Sequence, residues 1–410
     1  RATNPPTFPA EDKLSYPNTA HPIFWGGGGL SLLMQVNPWF NNQDLVVLKD
    51  DYTQVFGKHL FKAGFLYRDG HKFEPSLGGS SFEMPAYWGS AGLEGRWGDT
   101  SGNLVADFLL EDMTFGFAEV SRGQQVDFEW RDIEVYVADS WKLRDNMTLD
   151  IGVRYSRFSW PENADPSEYL NFNPERFDPA LGASPCNGLM QVPGTDPCGD
   201  AGFPGASDGP NAALIHQNDN FSPRLGFAWD VFSTGKSVLR AGFGQFFQRE
   251  RVGIHFGLLS NPPAVQSVSG IRSLDSEILI PNFVSTGTPS YGIDVDAKTP
   301  FMYQYNLTWE QRLGRDSTLE VSYVGSQGRD LTRSRDINQI PLNQDIDGNG
   351  VDDRLDYVRC SDYSGCRAQY RPYSVYGDAS ITLWDTDGRS DYNSLQTQFI
   401  TRFGRGSQLQ

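Results

Sequence analysis

The feature that most constrains this chain is a strict alternation of apolar and polar side chains. Leu149, Ile151, Val153 and Tyr155 alternate with Asp150, Gly152, Arg154 and Ser156. Leu225, Phe227 and Trp229 alternate with Arg224, Gly226, Ala228 and Asp230. The pattern recurs across Leu239–Phe247, Tyr303–Glu310 and Thr318–Tyr323. A period of two puts successive side chains on opposite faces of a strand, whereas a helix repeats at 3.6. Each strand therefore has one apolar face rich in aromatic rings. Its polar face carries Arg154, Arg224, Arg240 or Glu310.

The spacing of these segments is the second constraint. Ten strands are predicted, over 44–56, 60–70, 128–141, 147–159, 222–232, 237–249, 301–313, 317–328, 376–385 and 391–403. Four pairs are joined by tight turns at Gly57-Lys58-His59, Arg144-Asp145-Asn146, Ser233-Thr234-Gly235 and Gly314-Arg315-Asp316, and a fifth turn is expected over Asp385 to Ser390. Each turn has the Gly, Asn or Asp that turn geometry favours. Long excursions separate the pairs, over 71–127, 160–221, 250–300 and 329–375. In an antiparallel meander, connections fall alternately on two sides, so every short turn lies on one side and every long loop on the other. A soluble β-sandwich alternates just as well. One-sided loops, aromatic apolar faces and charged polar faces favour the alternative, an all-β antiparallel transmembrane barrel with long extracellular loops.

Composition agrees once that geometry is considered. A mean hydropathy of -0.46 is no obstacle, because only every second strand residue meets lipid. No apolar run approaches the length of a membrane helix, which leaves strands as the only means of crossing. The net charge of -17 excludes nucleic acid as an expected partner, since that needs a basic footprint. Residues 1–43 are expected to be an irregular N-terminal segment and 44–410 the barrel portion. The chain opens Arg1-Ala2-Thr3 and stops at Gln408-Leu409-Gln410, and both ends are expected to be internal to a longer polypeptide.

The loops carry the remaining chemistry. Cys186 and Cys198 share the second long loop, and Cys360 and Cys366 the fourth. Disulfides in an oxidising compartment are expected, with free thiols the alternative. Zinc is disfavoured by the spacing and the lack of nearby histidines. Asp345, Asp347, Asn349, Val351, Asp353 and Asp356 occupy positions 1, 3, 5, 7, 9 and 12 of a calcium-type loop, with Gly350 at the sharp turn of position 6. Structural Ca²⁺ is expected there; an acidic surface loop is the alternative. Tyr87 and Trp88 in the first loop, and Tyr363, Tyr370 and Tyr373 in the fourth, are candidates to stack on a substrate or to pack the loops themselves. The histidines are scattered, no nucleophile elbow or phosphate loop occurs, and no enzymatic role is expected.

Six segments in order resemble the barrel of Oar-like TonB-dependent outer-membrane transporters. They are "FGKHLFKAGFLYR" (56–68), "LVADFLLED" (104–112), "VYVADSWKLRDNMTLDIGVRYSRF" (135–158), "NFSPRLGFAWDVFSTGKSVLRAGFGQFF" (220–247), "YQYNLTWEQRLGRDSTLEVSYVGSQGRDL" (303–331) and "SDYNSLQTQFITRFGRG" (390–406). Glu111 departs from the family's usual Gly. The resemblance implies a barrel of about 22 strands, closed around a plug and energised by the TonB complex. It also implies contact with outer-membrane lipids and a possible surface lipoprotein as partner. Ten strands are a section of such a wall, and no plug or TonB box is recognised in this sequence. Rival readings are a non-transporting surface or adhesion barrel and a soluble β-rich glycan-binding domain.

Overall fold

The computed structural model describes residues 23–25, 41–75, 80–83, 114–120, 125–209, 214, 219–264, 267–273, 283–285, 287–345, 348–352, 368–377, 379–403 and 407–409. Nine long strands dominate: β1 (Asn42–Phe56), β2 (His59–Pro75), β3 (Gln125–Arg144), β4 (Met147–Phe158), β5 (Asn220–Asp230), β6 (Ser237–Phe247), β7 (Phe301–Leu313), β8 (Ser317–Asp336) and β9 (Thr382–Phe403). Each pairs antiparallel with its sequence neighbours, so spatial order is sequence order. The shortest has 11 residues, enough to cross a hydrocarbon layer when tilted. Among the described residues nothing pairs with the outer edge of β1.

The register explains why alternation is so regular. One row across all nine strands runs Phe56, His59, Trp141, Leu149, Phe227, Ala241, Leu307, Tyr323, Leu395. An opposite-face row three residues along runs Thr53, Lys62, Ala138, Gly152, Arg224, Gly244, Gln304, Ser326, Tyr392. A one-residue slip anywhere would exchange the two faces of a strand, so burial of one face in lipid fixes the register. Leu307 is 50% exposed and Leu395 73% exposed, and similar exposed apolar side chains recur along the outward face of the strands. An apolar surface that extensive needs lipid as its solvent.

The short turns follow local chemistry. Gly57 has φ +58°, as the first position of a two-residue hairpin turn requires. Ser233, Gly235 and Gly314 also adopt positive φ at their turns. The Asp230 carboxylate accepts the Gly235 N–H at 2.7 Å.

The structure corrects three expectations. Segments 376–385 and 391–403 are not two strands joined by a turn over Asp385 to Ser390: Thr382–Phe403 is one strand of 22 residues. The Asp385-Thr386-Asp387-Gly388 run has turn chemistry, but β8 continues to Asp336 and pairs with it. Arg335 Nε donates to Asp385 Oδ2 at 2.8 Å, and Arg333 binds both Asp385 and Asp387. Gly388 lies where its backbone meets that of Leu331, beside two register shifts in β8; a Cβ there would stand 2.6 Å from the Leu331 carbonyl oxygen. The short connection after β9 leads instead to Ser407–Leu409, which pairs back on Thr401–Phe403.

Second, the expected loop limits move outward. β2 and β3 stay paired to Pro75 and Gln125, and β8 runs past 328, so strands project beyond the apolar band. Third, the segment 1–43 is not wholly irregular, because Ile23–Trp25 pairs in parallel with Ser80–Glu83 in a second, five-stranded sheet.

Candidate functional site

The inward face of the wall is polar and internally paired. Arg154 Nη1 donates to Glu134 Oε2 at 2.8 Å, and Arg240 Nη1 to Glu310 Oε2 at 2.7 Å. The Tyr136 hydroxyl donates to Asp51 Oδ1 at 2.6 Å, and Lys49 Nζ lies 2.7 Å from the other oxygen of that carboxylate. Arg154 lies over the Tyr136 ring at 5.1 Å, and Arg224 over Phe246 at 4.8 Å. Small side chains at Ala138, Gly152 and Gly226 floor a groove of about 480 Å³, with Lys62, Asp150, Arg154 and Arg224 in its lining. These cross-strand contacts keep charged groups satisfied on a surface that must stay wet.

At the long-loop end this same face changes character. Val126, Phe128, Trp130 and Asp132 of β3 point inward with Glu134 and Tyr136, yet all four are buried. Described residues of two loops, 159–219 and 248–300, fold down onto them, and residues of a third, 337–381, pack on the first of these loops. Tyr169, Leu214, Ile254, Leu258, Leu259 and Ile293 form one apolar cluster with Val126 and Phe128. Leu170, Phe172, Cys186, Leu189, Cys198, Tyr376 and Ile381 form a second. The loops thus make a packed cap with its own core, not a set of independent excursions.

Two buried asparagines replace missing strand pairing within the cap. Asn261 Nδ2 donates to the carbonyls of Leu170 and Tyr291, both at 2.7 Å, and its Oδ1 accepts the N–H groups of Ser290 and Tyr291 at 2.9 and 3.1 Å. Asn171 brackets Ile293 in the same way, with both bonds at 2.8 Å. Cap and wall are joined by Asp132, which is 0% exposed. Its Oδ2 receives Arg68 from β2 at 3.0 Å and Arg249, just past β6, at 3.1 Å. Arg249 also donates to the Ser159 carbonyl at 2.8 Å and stacks on Trp130.

His255 packs against the first cluster, where its Nδ1 and the Tyr169 hydroxyl share a hydrogen bond of 2.6 Å. Burial, reinforced by the Arg249 charge, pushes its pKa down to about 3, so it stays neutral and structural at ordinary pH.

The predicted loop residues distribute as follows. Cys186 and Cys198 form a disulfide inside the second cluster, with Cα atoms 6.0 Å apart. Cys360 and Cys366 lie outside the described residues, as do Tyr87, Trp88 and Tyr363. Tyr370 is buried, and Tyr373 packs edge-on against Phe172 and Phe177 at 5.4 and 5.0 Å. Tyr376 donates to the carbonyls of Ser184 and Asn187, both at 3.0 Å. The fourth-loop rings that are described therefore pack within the cap.

Asp345 accepts the N–H groups of Asn349 and Gly350 at 2.9 and 2.8 Å, and Asn349 Oδ1 accepts Val351 N–H at 2.8 Å. Gly350 has φ +82°, the sharp turn expected at position 6. Asp347, Asp353 and Asp356 lie outside the described residues, and among those described no three metal-ligating side chains gather. Asn171, Asn261, Asp132 and Arg249 were not foreseen from sequence. The partners named above lie 29 to 122 residues away, and no local pattern marks them.

A family model described as outer membrane beta barrel domain matches residues 3–410. The chain belongs to that family. The wall is therefore a section of an outer-membrane β-barrel, and the soluble glycan-binding alternative is set aside. Its long-loop end is extracellular, as barrels of this kind are built. No curated protein matches. Solved structures with similar folds include the outer membrane transporter YddB from Escherichia coli, at 12% identity and TM-score 0.43, covering 88% of this chain and 30% of that one. The siderophore receptor PirA from Pseudomonas aeruginosa aligns at 11% identity and TM-score 0.30, over 88% of this chain and 48% of that one. The hemophore receptor HasR of Serratia marcescens aligns at 8% identity and TM-score 0.32, over 89% and 47%. The chain thus spans less than half the length of each of these proteins.

Proposed function

We propose that this chain forms wall and loop cap of a TonB-dependent transporter of the Oar-like group, importing a substrate along the polar face. The observation that carries this reading is the inward cap. Two loops, 159–219 and 248–300, pack on Val126 and Phe128 of the same inward face that carries the polar groove at Ala138, and residues of 337–381 pack on the first of them. A cap built on the lumenal side suits a barrel that controls passage. The subgroup rests on the six resembling segments. The implied partners are the TonB complex, acting through a plug, and a surface lipoprotein lid. Cross-linking in cells tests the reading, using protein expressed from its complete reading frame. An adduct with TonB is expected that depends on an energised inner membrane. A folded, surface-exposed protein giving no adduct would leave the non-transporting barrel in its place.

Within this reading the Asp345–Asp356 loop holds structural Ca²⁺. Support comes from Asp345, whose carboxylate already folds the backbone of Asn349 and Gly350 around itself, as the first ligand of such a loop does. Calorimetric titration with Ca²⁺ is expected to show one site, lost in Asp347→Ala. Unchanged heats in that variant would remove the site.

A further inference from the structure

We propose that the lipid-facing side of the wall carries, at its extracellular rim, a binding site for the phosphorylated headgroup of an outer-leaflet lipid, gripped by Arg131 and Arg157. The face is fixed by parity. Arg131 shares the outward side of β3 with Ile133, Val135 and Val137, and Arg157 shares that of β4 with Val153 and Tyr155. Ile133 stands opposite Arg157, so Arg131 and Arg157 are diagonal cross-strand neighbours. Such neighbours lie within reach of one another when their side chains are long. A cavity of about 270 Å³ lies between them, and Tyr67, Ile133, Ser159 and Trp160 help to line it.

Neither guanidinium is consumed by the protein. Arg157 has no ion pair among the described residues. Arg131 has its nearest carboxylates, Asp69 and Glu129, at 3.4 and 3.6 Å, with 63% of its own side chain exposed. Exposed pairs that loose contribute little and exchange easily. Phosphate offers the planar fork of arginine two acceptors at once, a stronger arrangement.

Position settles the partner. The outward side chains below the cavity, Ile133, Val135 and Val137, are apolar and exposed, and lie in hydrocarbon. Arginines immediately above that band face headgroups, and the long-loop end makes these the headgroups of the outer leaflet. Tyr67 and Trp160 belong to the residue types that favour this boundary. Glu129 and Glu162 stand opposite each other and line the same cavity. They make it a poor trap for a free anion, and they select a headgroup held in place by its acyl chains and accompanied by divalent counterions.

The test is intact-complex mass spectrometry of the protein purified in detergent. Wild type is expected to retain a phosphorylated lipid. The Arg131→Gln/Arg157→Gln double variant is expected to retain at least about tenfold less, from the loss of two charge-assisted contacts. Arg176→Gln, in a cap loop, is expected to match wild type, and millimolar inorganic phosphate to displace nothing. Equal retention in the double variant, no phosphorylated lipid on wild type, or displacement by inorganic phosphate would each overturn the proposal. Heat-modifiable gel mobility reports whether the double variant folds. If it does not, Arg157→Gln alone carries the test, with a severalfold loss expected and unchanged retention overturning the proposal.

Discussion

Asn261→Ala is expected to release the cap while leaving the wall standing. The side chain is 0% exposed and makes four hydrogen bonds to backbone groups of two different loops. Alanine leaves two carbonyls and two N–H groups without partners in a buried setting. Each unsatisfied group costs about 1 kcal/mol or more, so the loss is about 4 kcal/mol. That is a large fraction of what a loop-built body of this size has to spare. Limited proteolysis is expected to cut rapidly within 159–219 and 248–300, while heat-modifiable mobility of the wall persists. A cleavage pattern identical to wild type would show that Asn261 is not the bracket described here.

The second large effect tests the two faces of the wall directly. Leu307→Arg places a charge in the middle of the outward row, which lies in hydrocarbon. A basic residue there costs about 2–4 kcal/mol at the bilayer midplane. Gln304→Arg, three residues away on the inward row, is expected to be nearly neutral, because that face is wet and already carries Arg224 and Arg240. Urea unfolding in lipid or detergent, followed by gel mobility, measures both. Equal destabilisation by the two variants would contradict the assignment of lipid and lumen.

Much of the wall was legible because its environment alternates as its sequence does. Leu149, Ile151 and Val153 face lipid, Asp150, Gly152 and Arg154 face water, and no tertiary detail is needed to read that. The places where reading failed had nonlocal causes. The Asp385-Thr386-Asp387-Gly388 run has every local mark of a turn, and its pairing with the distant β8, with Arg333 and Arg335 on its carboxylates, holds it extended. The cap was invisible for a related reason. Its core residues, such as Tyr169, Leu258 and Ile293, recur with no period, because short irregular segments bury single residues instead of a repeating face. The aromatic residues of the fourth loop stand out in the sequence, but sequence could not say that Tyr373 and Tyr376 would meet Phe172, Phe177 and the carbonyls of Ser184 and Asn187.

Strictly sequential strand order also sets where chain entropy is lost. Every strand from β1 to β9 docks on the one made just before it, so each finished hairpin offers a fresh hydrogen-bonding edge to the next. The hairpins β1–β2, β3–β4, β5–β6 and β7–β8 close over turns of a few residues, whereas joining one hairpin to the next closes a long excursion at greater entropic cost. The cap likewise needs distant partners. Asn171 must wait for Ile293, and Tyr376 must find Ser184 across 192 residues. Hairpins are thus the cheap units of this fold, and wall and cap alike carry the entropic cost of the long connections between them.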